Sequence, residues 1–277
     1  LEDQMFKIHK DVRRLTEEEK KQYENAGYVK NLPVFSPEAA KDLHIFFEEL
    51  SSRLPKGVDI NKTNMWHKAS KKFFDLCRTP EILDYVEDLL GPNFVQWGGQ
   101  FFHKEPNSGS IVPWHQDAQY WPLKPANAVT VWLAVYDTDI KNGAMKVVSG
   151  SHKKGANGFS HHTNDSKDYV LDQEVSSDQI DEEKIVYMDL KAGEISLHND
   201  ALLHGSDPNK SDRRRCGITM RFSPTNVKGD LKEWPFFETQ LARGIDDLKL
   251  NPVALEPRGE ATPIKRFGFS HEFEKEW

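Results

Sequence analysis

The sequence predicts a mainly β protein with helical additions at its N-terminal end, on three observations. The first ninety residues carry helix-capping signals and helical spacing of apolar residues. From about Phe94 the pattern changes to short apolar runs cut by Gly, Pro and Asn, the signature of a sandwich or barrel of short strands. The length, 277 residues, is near the upper end for one compact domain, so a single core with additions accounts for it.

Each element follows in chain order. Thr16 with Glu19 three residues on is a capping box, which starts a helix that should end near Gly27. Tyr28–Pro33 reads as a short extended piece. Ser36-Pro37-Glu38 marks a second start, with Leu43, Phe46, Phe47 and Leu50 at helical spacing. A third helix is expected over Pro80–Leu90, stopping at Gly91-Pro92. Strands are expected at Phe94–Lys104, Ala128–Tyr136, Met145–Val148, Gly193–His198 and Gly217–Phe222. The stretch from Lys153 to about Asp189 is polar and acidic, with His161, His162, Asp165 and the run Asp181-Glu182-Glu183. It reads as a long surface loop or lid with room for one short helix. Past Asn226, Trp234, Phe236, Phe237, Pro252 and Pro257 follow without periodicity, and this segment should wrap the core. The expected organisation is one domain over 1–277: a helical part at 1–92, a strand core at 93–225 containing the loop or lid at 153–189, and a covering segment at 226–277.

Charge and composition exclude several partners. Subtracting 44 acidic residues from 37 basic ones gives a net charge of -7, with no basic stripe of the kind that nucleic-acid binding uses. No apolar run approaches the ~18 residues of a membrane span, and the stretch after Leu1 lacks the charged, apolar and small-residue order of a secretory leader. Two cysteines, Cys77 and Cys216, build no disulfide framework, so a reducing, cytoplasmic compartment is expected. There is no P-loop, no G-x-G-x-x-G after a strand, no paired CxxC and no G-x-S-x-G elbow, so hydrolysis through a serine or cysteine nucleophile has no support. A small-molecule substrate is the partner expected, and nothing specifies an oligomeric state.

Two clusters can carry chemistry. In Pro113-Trp114-His115-Gln116-Asp117, positions i and i+2 of an extended segment share a side, so His115 and Asp117 can aim at one centre. A neutral imidazole and a carboxylate suit Fe(II), which then needs a third ligand from elsewhere. Alone, this pair reads more simply as a surface hydrogen-bonded pair. The second cluster is His204-Gly205-Ser206, a turn through Pro208 and Asn209, and then Arg213, Arg214 and Arg215. Read as a hairpin, it brings Arg215 back beside His204, where a planar guanidinium could take the far carboxylate of a metal-bound dicarboxylate. The other two arginines read as a solvated turn. In the strand after them, Arg215, Gly217, Thr219 and Arg221 share one face and Cys216, Ile218, Met220 and Phe222 the other. Arg221 is therefore either a second carboxylate ligand or part of a structural salt bridge.

These residues resemble the phytanoyl-CoA hydroxylase (PhyH) family of Fe(II)- and 2-oxoglutarate-dependent dioxygenases. Further matches occur in order: Thr79-Pro80-Glu81-Ile82-Leu83 leading to Gly91-Pro92-Asn93, Lys104-x-Pro106-x-Ser108-Gly109, Trp114-His115-Gln116-Asp117, Asn142-Gly143 and Ser149-Gly150-Ser151-His152. The resemblance covers roughly residues 15 to 225. It implies a double-stranded β-helix, the cupin-like jelly roll, buttressed by N-terminal helices. It implies His115, Asp117 and His204 as iron ligands, with Arg215 and Ser206 at the distal carboxylate of 2-oxoglutarate and Trp132 and Gln100 also touching that cosubstrate. A more N-terminal cosubstrate contact aligns with Thr63, Asn64 or His67. O2 is the second cosubstrate and ascorbate a stimulant, and the products include succinate and CO2 with an oxidised C–H bond.

Departures limit the carry-over. Related halogenases have a small residue where Asp117 stands, which favours hydroxylation or another oxygen-derived outcome over chlorination here and leaves desaturation, epoxidation and rearrangement open. The final residues Lys275-Glu276-Trp277 are not a peroxisomal address, and the acidic charge gives no encouragement for a CoA substrate. His198 competes with His204 for the third ligand position, but His204 has the family's spacing to Arg215. His103 and His152 read as structural, and His161 and His162 as substrate contacts only if their loop is a lid. Substrate-pocket residues are expected from Gln100–Lys104, Tyr120, Trp121, the 153–189 loop, Trp234 and Phe237. Two alternatives stay open at this point: a cupin-type hydrolase or isomerase holding Zn or Mn at the same centre, and a non-catalytic ligand-binding protein.

Overall fold

The computed structural model describes residues 5–163 and 170–263. Asp165 and the Lys275–Trp277 terminus lie outside the described residues. The helices are α1 (Glu17–Ala26), α2 (Ala40–Ser52), α3 (Trp66–Ala69), α4 (Lys71–Leu76) and α5 (Pro80–Leu90). The strands are β1 (Tyr28–Pro33), β2 (Phe94–Lys104), β3 (Val112–His115), β4 (Leu123–Lys124), β5 (Val129–Ala134), β6 (Met145–Val148) and β7 (His161–Thr163). They continue with β8 (Gln173–Val175), β9 (Ile185–Tyr187), β10 (Glu194–Asn199), β11 (His204–Ser206), β12 (Arg215–Pro224), β13 (Lys228–Gly229) and β14 (Gln240–Arg243).

Local chemistry explains the helix ends. Thr16 Oγ1 accepts the Glu19 N–H at 3.2 Å while the Glu19 carboxylate accepts the Thr16 N–H at 2.8 Å, closing the capping box of α1. Gly27 ends that helix at φ +85°, where a Cβ would also meet His152 Nδ1 at 2.6 Å. The second start is a 3₁₀ turn, Pro37–Ala39, ahead of α2, and the Ser36 hydroxyl makes no cap bond. α5 opens on Pro80 and buries Ile82, Leu83, Tyr85 and Val86.

Two antiparallel sheets face each other as a jelly roll. The larger has the order β1-β10-β5-β12-β2-β14 and the smaller β3-β11-β6-β9. The period-two alternation of the larger sheet divides its chemistry. Ile195, Leu197, Val131, Leu133, Phe101, Cys216, Ile218, Met220 and Phe222 face the helices and pack with Leu43, Phe46, Phe47 and Leu50 of α2. Gln100, Thr130, Trp132, His198, Arg215, Thr219 and Arg221 face the other way, into a cavity between the sheets.

The structure sharpens some sequence expectations and corrects others. Tyr28–Pro33 is an edge strand of the large sheet, paired with β10. The short helices α3 and α4 were not expected, because four and six residues are too few to show a period. Within the expected loop at 153–189, β7 and β8 form a hairpin, and β9 joins the small sheet beside β6. Past residue 226, β14 extends the large sheet by pairing with β2. The hairpin reading of the His204–Arg215 segment fails. His204 opens β11 in the small sheet, while Arg215 opens β12 in the large one, so the intervening turn crosses between sheets.

No helix among the described residues is long and apolar enough to cross a membrane. Cys77 and Cys216 are buried and free.

Candidate active site

β3 and β11 pair antiparallel with His204 directly opposite His115, and the two ring centroids are 4.0 Å apart. Each ring is oriented by its own backbone. His115 Nδ1 lies 2.8 Å from the Pro113 carbonyl oxygen and His204 Nδ1 2.9 Å from that of Leu202. A carbonyl only accepts, so Nδ1 carries the proton and Nε2 is left with its lone pair toward the centre.

Gln116 continues the extended backbone one residue past β3, at φ -109° and ψ 130°, which keeps Asp117 on the side of His115. Asp117 Oδ1 is 3.6 Å from His115 Nε2 and 3.8 Å from His204 Nε2. One ligand atom from each of these three residues lies within 4.8 Å of the others, the metal-competent group found among the described residues. Burial by itself raises the Asp117 pKa, but the imidazoles of His204, His115 and His198 gathered around it outweigh burial and hold the carboxyl well below its ordinary range. Burial, and after it the neighbouring His115, push the His204 pKa well below the ordinary imidazole value. Two neutral nitrogens and one carboxylate, with the cavity on the open side, suit a divalent iron that must keep positions for other ligands.

The Asp117 segment is tied to the turn that delivers His204. Gln116 Nε2 donates to the Ala201 carbonyl at 2.6 Å and to that of Gly155 at 2.9 Å, and the Ala118 N–H donates to Asp200 at 2.8 Å.

Across the cavity, Arg215 is 3% exposed and its guanidinium carbon stands 5.0 Å from the Trp132 ring centroid. Burial brings its pKa down to about 10, so it stays charged at neutral pH. The indole has room because residue 217 is glycine: a Cβ there would lie 2.0 Å from Trp132 Cζ2. Arg215 Nε and Ser206 Oγ are buried without hydrogen-bond partners, and both residues line the cavity. Orphaned buried donors of this kind mark a seat for an absent polar ligand, and a carboxylate satisfies both. Lys104 Nζ donates to the carbonyls of Asp207 at 2.6 Å and Ser110 at 2.9 Å, with that of Ser206 at 3.4 Å, so it pins the chain just after β11. Gln100 Nε2 donates to the Asn61 carbonyl at 2.8 Å.

The cavity between the sheets is narrow and opens to solvent. It brings together His115, Asp117, His204, Arg215, Ser206, Trp132 and Gln100, all named from the sequence. It also takes in Arg221, Tyr120 and Phe102. None of Thr63, Asn64 and His67 lines it, and Asn61, which was missed, does. Thr63 instead accepts from Trp66 Nε1 at 2.9 Å, and His67 is buried behind Gly99. Trp121, Trp234 and Phe237 were expected at the pocket but pack with Trp97 in a separate apolar cluster. From the lid region Val170 and Leu171 reach the cavity, whereas His161 bonds the Gln116 N–H and His162 pairs with Glu174. His103 packs on Phe47, and His152 bonds the Glu24 carbonyl. Arg213 and Arg214 pair with Asp139, Glu48 and Glu105.

A jelly roll that converges two imidazoles and a carboxylate opposite a buried arginine defines the class of non-haem metal oxygenases that use a keto acid. Comparison with known proteins is consistent with this. The phytanoyl-CoA dioxygenase (PhyH) family model matches residues 13–217. Human peroxisomal phytanoyl-CoA dioxygenase is 28% identical over 268 residues, covering 83% of this chain and 76% of its own. A probable alpha-ketoglutarate-dependent hypophosphite dioxygenase of Stutzerimonas stutzeri is 26% identical over 240 residues, covering 79% and 80%. Among solved structures, the non-heme monooxygenase ThoJ in its apo form superposes with a TM-score of 0.73 at 26% identity, covering 87% of this chain and 89% of that one. The chain belongs to the PhyH family, and it is an Fe(II)- and 2-oxoglutarate-dependent dioxygenase.

Proposed function

We propose that His115, Asp117 and His204 hold the ferrous ion, and that Arg215 pairs with the distal carboxylate of 2-oxoglutarate beside Trp132 and Ser206. The observation that carries this reading is the opposition of a three-ligand cluster on one sheet and a buried arginine with an orphaned Nε on the other. When bound, the iron supplies oxygen activation coupled to decarboxylation of the keto acid, releasing succinate and CO2. The chain supplies placement. The two Nδ1-to-carbonyl bonds fix the imidazole rings, the Gln116 and Ala118 bonds fix Asp117, and the Trp132 ring lies beside the Arg215 guanidinium.

Gln100 acts at one remove, by its bond to Asn61, and Asn61 takes the place expected for Thr63, Asn64 or His67 in the cavity wall. Because Asp117 supplies a carboxylate to the centre, hydroxylation of a C–H bond is the outcome we assign. The substrate is a small molecule that enters past Tyr120, Val170 and Leu171. The free cysteines fit a cytoplasmic site of action. Succinate formation with Fe(II), 2-oxoglutarate and O2, absent in His204→Ala, tests the assignment. An unchanged rate in that variant would remove it.

A further inference from the structure

The register of the large sheet sets His198 beside Thr130 and Thr130 beside Arg221. These side chains form one row across three adjacent strands, about 4.8 Å from strand to strand, on the face that lines the cavity. All are buried, at 2%, 1% and 3% exposure. Thr130 Oγ1 and both ring nitrogens of His198 have no hydrogen-bond partner among the described residues. Buried polar atoms usually have a partner, so a row of them along a cavity wall is a seat for a polar ligand.

The next strand along the row is cut back to receive the arginine. Gly98 stands opposite Arg221, and a Cβ there would lie 2.8 Å from Arg221 Cδ. Arg221 reaches Gln100 Oε1 at 3.4 Å and Asn64 Oδ1 at 3.5 Å, and lies 5.3 Å from the Trp121 ring centroid. Arg221 also lines the cavity, and a guanidinium there can close on an oxyanion at about 2.8 Å. The other end of the row reaches the candidate metal site, since His198 Nε2 is 3.6 Å from Asp117 Oδ2. Arg215 is six residues away along β12, about 20 Å at strand rise, so the two arginines serve different ends of the cavity.

We infer that this row anchors the substrate, and that the substrate carries an oxyanion, carboxylate or phosphonate, held by the Arg221 fork and the Thr130 hydroxyl with His198 between it and Asp117. The inference rests on the reading that Arg215 takes the cosubstrate carboxylate.

The test uses the full chain with Fe(II) and 2-oxoglutarate without O2, followed by the weak visible metal-to-ligand band. Hexanoate and hexylphosphonate are titrated as probes against neutral methyl hexanoate. One of the two anions should perturb the band, which also tells carboxylate from phosphonate, and the ester should not. In Arg221→Gln and in the near-isosteric Thr130→Val, the apparent dissociation constant of that anion should rise about tenfold or more, while that of 2-oxoglutarate moves less than about threefold. Arg215→Gln should show the reverse. An ester as effective as the acid, no effect of either anion, or an Arg221→Gln variant that weakens 2-oxoglutarate as much as the probe would overturn the inference. Absence of the band in the parent protein would instead strike the iron and keto-acid reading beneath it.

Discussion

Arg215 shows how much one side chain's shape contributes. Its fork matches a carboxylate in two parallel bonds, which an ammonium cannot make, and its guanidinium carbon stands over the Trp132 ring. Arg215→Lys keeps the charge and should still weaken 2-oxoglutarate binding about 10- to 100-fold in anaerobic titration, because charge-assisted bonds lost from a buried site are worth about 1.5–3 kcal/mol. Gly217 is the complement. With Trp132 Cζ2 where a Cβ would stand 2.0 Å away, Gly217→Ala must push the indole off the guanidinium. We expect about 1–3 kcal/mol lost in thermal unfolding, and a weaker 2-oxoglutarate titration besides. The arginine was legible in the sequence because a fork is the residue type that carboxylate chemistry requires. Thr130 and Asn61 were not, since a threonine in an apolar strand and an asparagine in a loop acquire meaning only from register and packing.

Single side chains work here because elements deliver them together. His115 and Asp117 come from one extended segment, so their convergence could be read from i, i+2 spacing. How that segment is held to His204 could not. Gln116, which points away from the metal, carries the connection through the Ala201 and Gly155 carbonyls. Gln116→Leu keeps the bulk and removes both donations, leaving the buried Ala201 carbonyl without its donor; it should cost about 1–3 kcal/mol in denaturant unfolding. If the bonds do position Asp117, Fe(II) affinity should fall with it, whereas an unaltered affinity would reduce Gln116 to a stability role. Lys104 does the corresponding work after β11. The misreading of the turn between His204 and Arg215 has the same origin. Gly, Pro and Asn mark a turn, but whether the next strand returns to the same sheet or crosses to the facing one is set by distant pairing, here of β12 between β5 and β2. The alternation of β12, by contrast, was readable, because its apolar face must meet the helices and its polar face the cavity.

At the scale of the molecule, the proposed ligands belong to the small sheet and its flanking turn, while Arg215 and Trp132 belong to the large one. Metal alone therefore ties together residues of one layer, and the keto acid ties that layer to the other. Ligands that bind only the folded state stabilise it by mass action, about 2.7 kcal/mol at a hundred times the dissociation constant. For a chain of this size that corresponds to a rise in Tm on the order of 5 °C. Fe(II) without O2 should give such a rise, and 2-oxoglutarate should add a second one only when metal is present. His204→Ala should remove both increments, since without the metal there is nothing for the keto end to chelate. Arg215→Ala should keep the first and lose most of the second. Differential scanning fluorimetry under argon reads all four cases. Were 2-oxoglutarate to raise Tm equally with and without iron, the two sheets would not be sharing one bridged ligand, and Arg215 would have to be reassigned.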